Sequence, residues 1–453
     1  MRPGGLPKRG RALAWDAREN GAKSMSQQQL LLGQTLSFSG DPFREGLEAA
    51  AHNSDGAVLI EGGKIADLGN RGDLLARYPE AAKTDYGQHL ITAGFVDAHV
   101  HFPQTGIIAS WGKQLIDWLN LYTFPEETRL ADPEVAHAVA ETYFDLALTH
   151  GTTTMCSFAT IHTGSVDAFF EGALARGMRA VTGKTCMDRN APDGLRDTAQ
   201  SAYDDSKALL GKWHGRDRLE YAISPRFSPT SSREQLQALG ALWGEFPECL
   251  MQTHLSEQLP EIAWMLELFP EARDYLDTYE AAGLLGARGL YGHAIHLEDR
   301  EKDRLLETGA ALVHCPTSNT FIGSGLFDMA GLKAADQRVG LATDTGGGSS
   351  FSMLRTMAAA YEIGQLRGRA LHPAELYWLA TAGSAEALHM GDKIGNLAIG
   401  MEADLVVLNL ASTPLINQRH ARADSFWEAL FPTIMMGDDR AIDAVWVNGA
   451  LAR

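Results

Sequence analysis

The stretch LITAGFVDAHVHF, residues 90–102, is an apolar run that ends in two histidines one residue apart. The run from Leu90 to Val96 reads as a buried strand, and side chains two apart on a strand leave the same face. His99 and His101 therefore reach one point together. Two neutral imidazoles held that way begin a transition-metal site, since imidazole suits zinc, copper, iron and nickel. A lone His-x-His carries little by itself, because two ordinary buried histidines give the same letters. The rest of the chain decides what the pair means.

Past this stretch, short β-rich runs alternate with longer helical ones. Strands are expected at Leu90–Val100, Thr152–Ser157, Ala180–Lys184, Leu219–Ser224, Cys249–His254, Gly289–His293, Ala310–His314 and Arg338–Thr343. Between them, stretches such as Pro133–His150 and Ser232–Phe246 repeat apolar residues at three- and four-residue spacing. Eight strands separated by helices predict a parallel (β/α)8 barrel of the TIM type, because helical crossovers force parallel pairing.

The two ends of the chain read differently. Ala57–Leu68 (AVLIEGGKIADL) is a hairpin with a Gly-Gly turn, Ala403–Leu410 (ADLVVLNL) a strand, and Ala444–Arg453 (AVWVNGALAR) a strand turning at Asn448-Gly449. Short strands at both ends predict a small β-sandwich domain assembled from the two termini. The expected organisation is a disordered leader over 1–24, the composite β-domain from 25–90 and 400–453, and the barrel over 91–399. The leader is basic and lacks an apolar signal core, and Met25 is a candidate start.

A chain of 453 residues suits one barrel plus a satellite. Its net charge of −18 argues against nucleic acid as a partner, because phosphate would be repelled. No apolar run approaches the roughly 18 residues needed to span a membrane. Cys156, Cys186, Cys249 and Cys315 are widely spaced, which suits reduced thiols in a cytoplasmic protein.

Ionisable residues fall at the ends of the expected strands. His99 and His101 close the first, Arg226 follows the fourth, His254 ends the fifth with Glu257 just beyond, His293 ends the sixth and Asp344 the last. Active sites of such barrels gather at the carboxyl ends of their strands. Each residue alone has a bland reading, a satisfied core histidine or a helix-capping aspartate, but their joint placement is hard to obtain by chance. Three histidines and an aspartate offer neutral nitrogens and one hard oxygen to a divalent ion, with room left for water. Zinc would bring that water's pKa near neutrality, and Glu257 is placed to carry its proton.

Taken together, GFVDAHVH, THLSE, YGHAIHL, HCPTSN and LATD resemble the amidohydrolase superfamily. Longer stretches, HFPQTGIIASWGKQLIDWLNLYTFPEE (101–127), SPRFSPT (224–230) and TDTGGGSSFSMLRTM (343–357), resemble its guanine deaminase branch, over roughly residues 28–450. The resemblance implies zinc-dependent conversion of guanine and water to xanthine and ammonia, in purine catabolism, by a homodimer. By motif, His99, His101, His254 and Asp344 match the ligands of one zinc per subunit, a set that iron(II) also accepts. Glu257 matches the proton shuttle, His293 a histidine beside the attacking water, and Gln104, Arg226 and Phe227 the purine-recognition residues. Their chemistry agrees: an amide that donates and accepts, fixed guanidinium donors and an aromatic face. Trp111, Trp118 and Phe124 read as pocket wall or core.

HCPTSN departs from the CPNSN expected of close relatives at Thr317, which is expected behind the pocket, so the departure touches only fine substrate positioning. The His-x-Glu with Pro-Cys-x-x-Cys signature of other zinc base deaminases is absent, which favours a free base over one inside a nucleic acid. The alternative substrates are other rings, of pterin, cytosine or triazine type. A non-enzymatic scaffold is the contrasting class, disfavoured because all four candidate ligands and Glu257 are present.

Overall fold

The computed structural model describes residues 28–112 and 114–453; the expected leader and Met25 lie outside the described residues. Eight parallel strands form the path of the nine-stranded main sheet: β1 (Phe95–His101), β2 (Thr152–Phe158), β3 (Arg179–Gly183), β4 (Leu219–Pro225), β5 (Leu250–Leu255), β6 (Gly289–His293), β7 (Ala311–His314) and β8 (Arg338–Leu341), with the two-residue strand Thr185–Cys186 pairing beside β4. Each pairs with the next, as helical crossovers require. The seam between β1 and β8 closes through individual bonds. Asp344 N donates to His99 O at 3.0 Å and His101 N to Thr345 O at 2.5 Å. The buried Asp97 carboxylate accepts from Thr343 N at 2.9 Å and Thr343 Oγ1 at 2.5 Å.

The helices start and pack as their sequences dictate. Asp132 caps Pro133–Thr149 by accepting from Glu134 N, and Ser232 caps Arg233–Glu245 by accepting from Gln235 N. The first of these buries Ala136, Ala140, Tyr143, Phe144 and Ala147, one face at helical spacing. Inside the barrel, Val96, Ala98, Cys156, Val181, Ala222, Leu250, Leu290, Ala311 and Val313 form one cluster. Strict alternation would send Val100 inward as well, but Val100 packs in the outer core. A register shift between Asp97 and Val100 changes the parity, so His99 and His101 take over the inward face.

The run expected as one strand, Leu90–Val100, divides at Gly94. Ala82–Ala93 belongs to the small sheet, while Phe95–His101 is β1. A Cβ on Gly94 would meet Thr153 Oγ1 at 2.2 Å, so only glycine lets the chain pass here from one sheet to the other. The small sheet runs Ala450–Leu451, Ile442–Val447, Leu405–Leu408, Ala82–Ala93, Gln29–Phe38, Ala50–Glu61, Lys64–Asn70. It is one hydrogen-bonded path that curls into a sandwich-like cover. Ile65 and Trp446, near its opposite ends, share one core, and Ala403 bridges Gly63 and Gly449. Both expected turns are present at Gly62-Gly63 and Asn448-Gly449, all four residues with positive φ.

At the amino end of the barrel, Arg179 and Arg218 meet Glu402 and Asp404 of the C-terminal segment. Arg179 Nε and Arg218 Nε both donate to Glu402 Oε2, at 2.9 and 3.0 Å, and Arg218 also forks onto the Asp404 carboxylate. Among the described residues no helix is long and apolar enough to cross a membrane, and all four cysteines are buried and free.

Candidate active site

At the carboxyl end of the barrel, the strand termini bring His99, His101, His254, Glu257, His293 and Asp344 together. His99, His101, Glu257, His293 and Asp344 are buried, and His254 is partly buried. Asp344 Oδ1 lies 3.5 Å from His99 Nε2 and 3.4 Å from His101 Nε2, and His101 Nε2 lies 3.1 Å from His254 Nε2. His254 Nδ1 donates to the carbonyl of Arg226 at 2.7 Å, which leaves Nε2 as a lone pair facing the others.

These atoms fit a divalent metal. Tetrahedral bonds of ~2.1 Å give edges of roughly 3.4 Å, close to the three separations above; His99, His101 and His254 group within 4.8 Å of one another, and Asp344 joins them through His99 and His101. His99 Nε2 is buried without a hydrogen-bond partner, the signature of an atom aimed at a ligand. Burial lowers the pKa of His99, and lowers those of His101 and His254 well below the usual histidine range, so all three are neutral donors. Burial pushes the Asp344 carboxyl up, but His99, His293 and Ser318 together outweigh it and the carboxyl is held below its ordinary value. Cys315, also within reach of His99 and Asp344, is pushed well up by burial and turns its thiol to the Val313 carbonyl.

Glu257 and His293 face the centre from one side. His293 Nε2 is 3.6 Å from Glu257 Oε2 and 3.7 Å from Asp344 Oδ2, while its Nδ1 donates to Asn319 Oδ1 at 2.9 Å. Burial raises the Glu257 pKa. Burial pulls His293 down, but the Glu257 and Asp344 carboxylates carry it above its ordinary value. Ser256, His293 and Asp344 have left-handed backbone, φ 48°, 66° and 48°. Such non-glycine positions cost about 1–3 kcal/mol each and cluster where side chains must be aimed.

The adjoining cavity is lined by Gln104, Arg226 and Phe227 together with the apolar Leu115, Trp118 and Leu119. Phe227 is both wall and core: it packs with Leu119, Phe124, Met187 and Leu195. Phe124 lies beneath the Arg226 guanidinium, 5.6 Å from it. Trp111 is neither wall nor core; it is 72% exposed, because the loop carrying it runs over the surface. Thr317 braces the barrel from behind, donating to Thr343 O at 3.1 Å.

Four supporting residues have no counterpart in the sequence reading. Ser324 Oγ donates to Glu257 Oε1 at 2.7 Å, and Asn319 fixes His293. Glu261 accepts from the backbone N–H groups of Glu257 and Gln258, both at 3.0 Å, and so holds the loop carrying Glu257. Glu127 binds Gln104 and Arg226. Asn319 and Glu127 fall inside the motif stretches, but nothing in their spacing marks them out.

The chain matches the family model described as "Amidohydrolase family" over residues 90–452. It is 44% identical over 398 residues to the guanine deaminase of Escherichia coli, covering 88% of this chain and 91% of the relative. The solved E. coli guanine deaminase superposes with TM-score 0.92 at 41% identity, covering 94% of this chain and 99% of that one. A guanine deaminase from C. acetobutylicum, solved with guanine bound in its active site, superposes with TM-score 0.86 at 28% identity, covering 94% and 100%.

Proposed function

The chain belongs to the amidohydrolase family, and from that premise we propose that it is a guanine deaminase, converting guanine and water to xanthine and ammonia. The observation that carries the reading is the wall of Gln104, Arg226 and Phe227 set directly against the His/Asp centre, in a chain similar to guanine deaminases over nearly its whole length. Purine catabolism in the cytoplasm, as a homodimer without nucleic-acid or membrane partners, belongs to the same proposal.

His99, His101, His254 and Asp344 would hold one divalent ion per subunit, zinc or iron(II), which when bound lowers the pKa of a water to near neutrality and polarises the substrate. The residues of the chain do the rest. Gln104 and Arg226 orient the ring by hydrogen bonds and Phe227 gives it an apolar face. His293, fixed by Asn319, directs Nε2 towards Glu257 and Asp344 and orients the attacking water. Glu257 has one oxygen tied to Ser324, so Oε2 takes the water's proton and delivers it to a ring nitrogen. The carbon then exchanges its C–N bond for C–O, and Glu257 passes the second proton to the departing ammonia.

The test is an assay of the metal-replete protein on guanine, adenine, cytosine, pterin and triazine substrates, with elemental analysis of the same sample. Guanine loss matched by xanthine and ammonia is expected, with one metal per chain. Preferred turnover of another ring would overturn the substrate, and inactivity on every ring at full metal occupancy would overturn the activity.

A further inference from the structure

Glu127 is fully buried, 0% exposed, behind the recognition wall. Its Oε1 accepts from Gln104 Nε2 at 2.9 Å and from Arg226 Nη1 at 3.0 Å, and its Oε2 accepts from the same Nη1 at 2.7 Å. A carboxylate only accepts, so the Gln104 amide must turn its NH2 inward. That leaves Gln104 Oε1 buried without a partner, on a residue that lines the cavity. Arg226 gives Glu127 one nitrogen, and its Nε and Nη2 take no protein acceptor among the described residues. The wall therefore presents an acceptor beside donors, in an order that Glu127 dictates.

We infer that Glu127 is a positioning residue that fixes the hydrogen-bond polarity of the wall and thereby which ring edge the site accepts. The inference rests on the guanine reading above. An edge with a ring N–H next to a carbonyl complements Gln104 Oε1 and the Arg226 donors. An edge with an unprotonated ring nitrogen next to an amino group sets lone pair against lone pair and N–H against N–H. Guanine carries the first edge and 2,6-diaminopurine the second, while both carry the same 2-amino group. With either, the C2–N bond breaks, a C2–O bond forms from water and ammonia leaves, so the comparison isolates the edge. In Glu127→Gln the new amide can donate as well as accept, and Gln104 is free to turn over.

The experiment measures kcat and KM for both purines with the wild type, Glu127→Gln, Gln104→Leu and the double variant, each checked for metal content. The wild type is expected to prefer guanine by about 100-fold or more, as sites that hydrogen-bond their substrate do. Glu127→Gln should lose at least tenfold of that preference, mainly through a raised KM for guanine and at unchanged metal content. Gln104→Leu should lose it similarly, and the double variant no further, because both changes remove one interaction. Equal slowing of both purines in Glu127→Gln with the preference intact, or losses that add in the double variant, would overturn the assignment. Should Glu127→Gln not accumulate as folded protein, Glu127→Asp, whose shorter carboxylate cannot keep both contacts, takes its place: retained preference sinks the inference, and lost preference at unchanged metal content upholds it. Equal use of both purines by the wild type also overturns it. A metal-loaded wild type that turns over neither instead overturns the guanine reading.

Discussion

Ser324 reaches across 67 positions of chain to hold one oxygen of Glu257, and that bond decides which oxygen is free to move a proton. Two substitutions separate holding from carrying. Glu257→Gln should keep its metal and lose a factor of ~10²–10⁴ in kcat, because an amide cannot cycle a proton. Ser324→Ala should keep its metal and lose only about tenfold, with KM little changed, because the carboxylate remains but is no longer oriented. Steady-state kinetics beside elemental analysis reads both, and full activity in the Gln variant would remove Glu257 from proton transfer. His99, His101, His254 and Asp344 were legible because a metal site needs particular residue types at strand ends. Glu127 and Ser324 were not, because a glutamate or serine acquires such work only from a partner far along the chain.

At the scale of strands and helices, the barrel was largely legible: the eight expected strands all occur, most within a residue or two of their predicted bounds. Alternation of small, β-branched and polar residues cannot show where one apolar run serves two sheets, so the division at Gly94 was missed. The parity change in β1 was missed for a similar reason, since a bulge leaves no mark in an all-buried strand. Close approach of strands is equally silent in the letters. A Cβ on Gly183, at the end of β3, would lie 1.7 Å from the carbonyl oxygen of Ala222 in β4. Gly183→Ala should therefore destabilise the protein by ~1–3 kcal/mol or more, since backbone must shift to admit it. Gly164→Ala, where nothing lies within 4 Å, should stay within about 1 kcal/mol of wild type. Denaturant melts of the two variants check this, and similar midpoints would mean that β3 and β4 can part at little cost.

Across the whole molecule, the ion cluster of Arg179, Arg218, Glu402 and Asp404 pins the C-terminal segment to the floor of the barrel. Burial pushes the Glu402 carboxyl up, but Arg179 and Arg218 outweigh it and hold it below the ordinary 4.5. A lowered folded value means that the stabilisation is fully present above pH 4.5 and is lost as pH falls through the lowered value. Glu402→Gln should thus be less stable than wild type at neutral pH and converge with it in acid, measured as thermal midpoint against pH; a constant gap down to the lowest pH would dissociate Glu402 from the acid response. The same segment has a consequence for synthesis. Leu405–Leu408 supplies one neighbour of Ala82–Ala93, so on the ribosome that long strand emerges with one edge bare until the entire barrel has been translated. At ~5–20 residues per second the wait lasts some tens of seconds. During that interval a nascent chain offers its neighbours a ready template for intermolecular pairing.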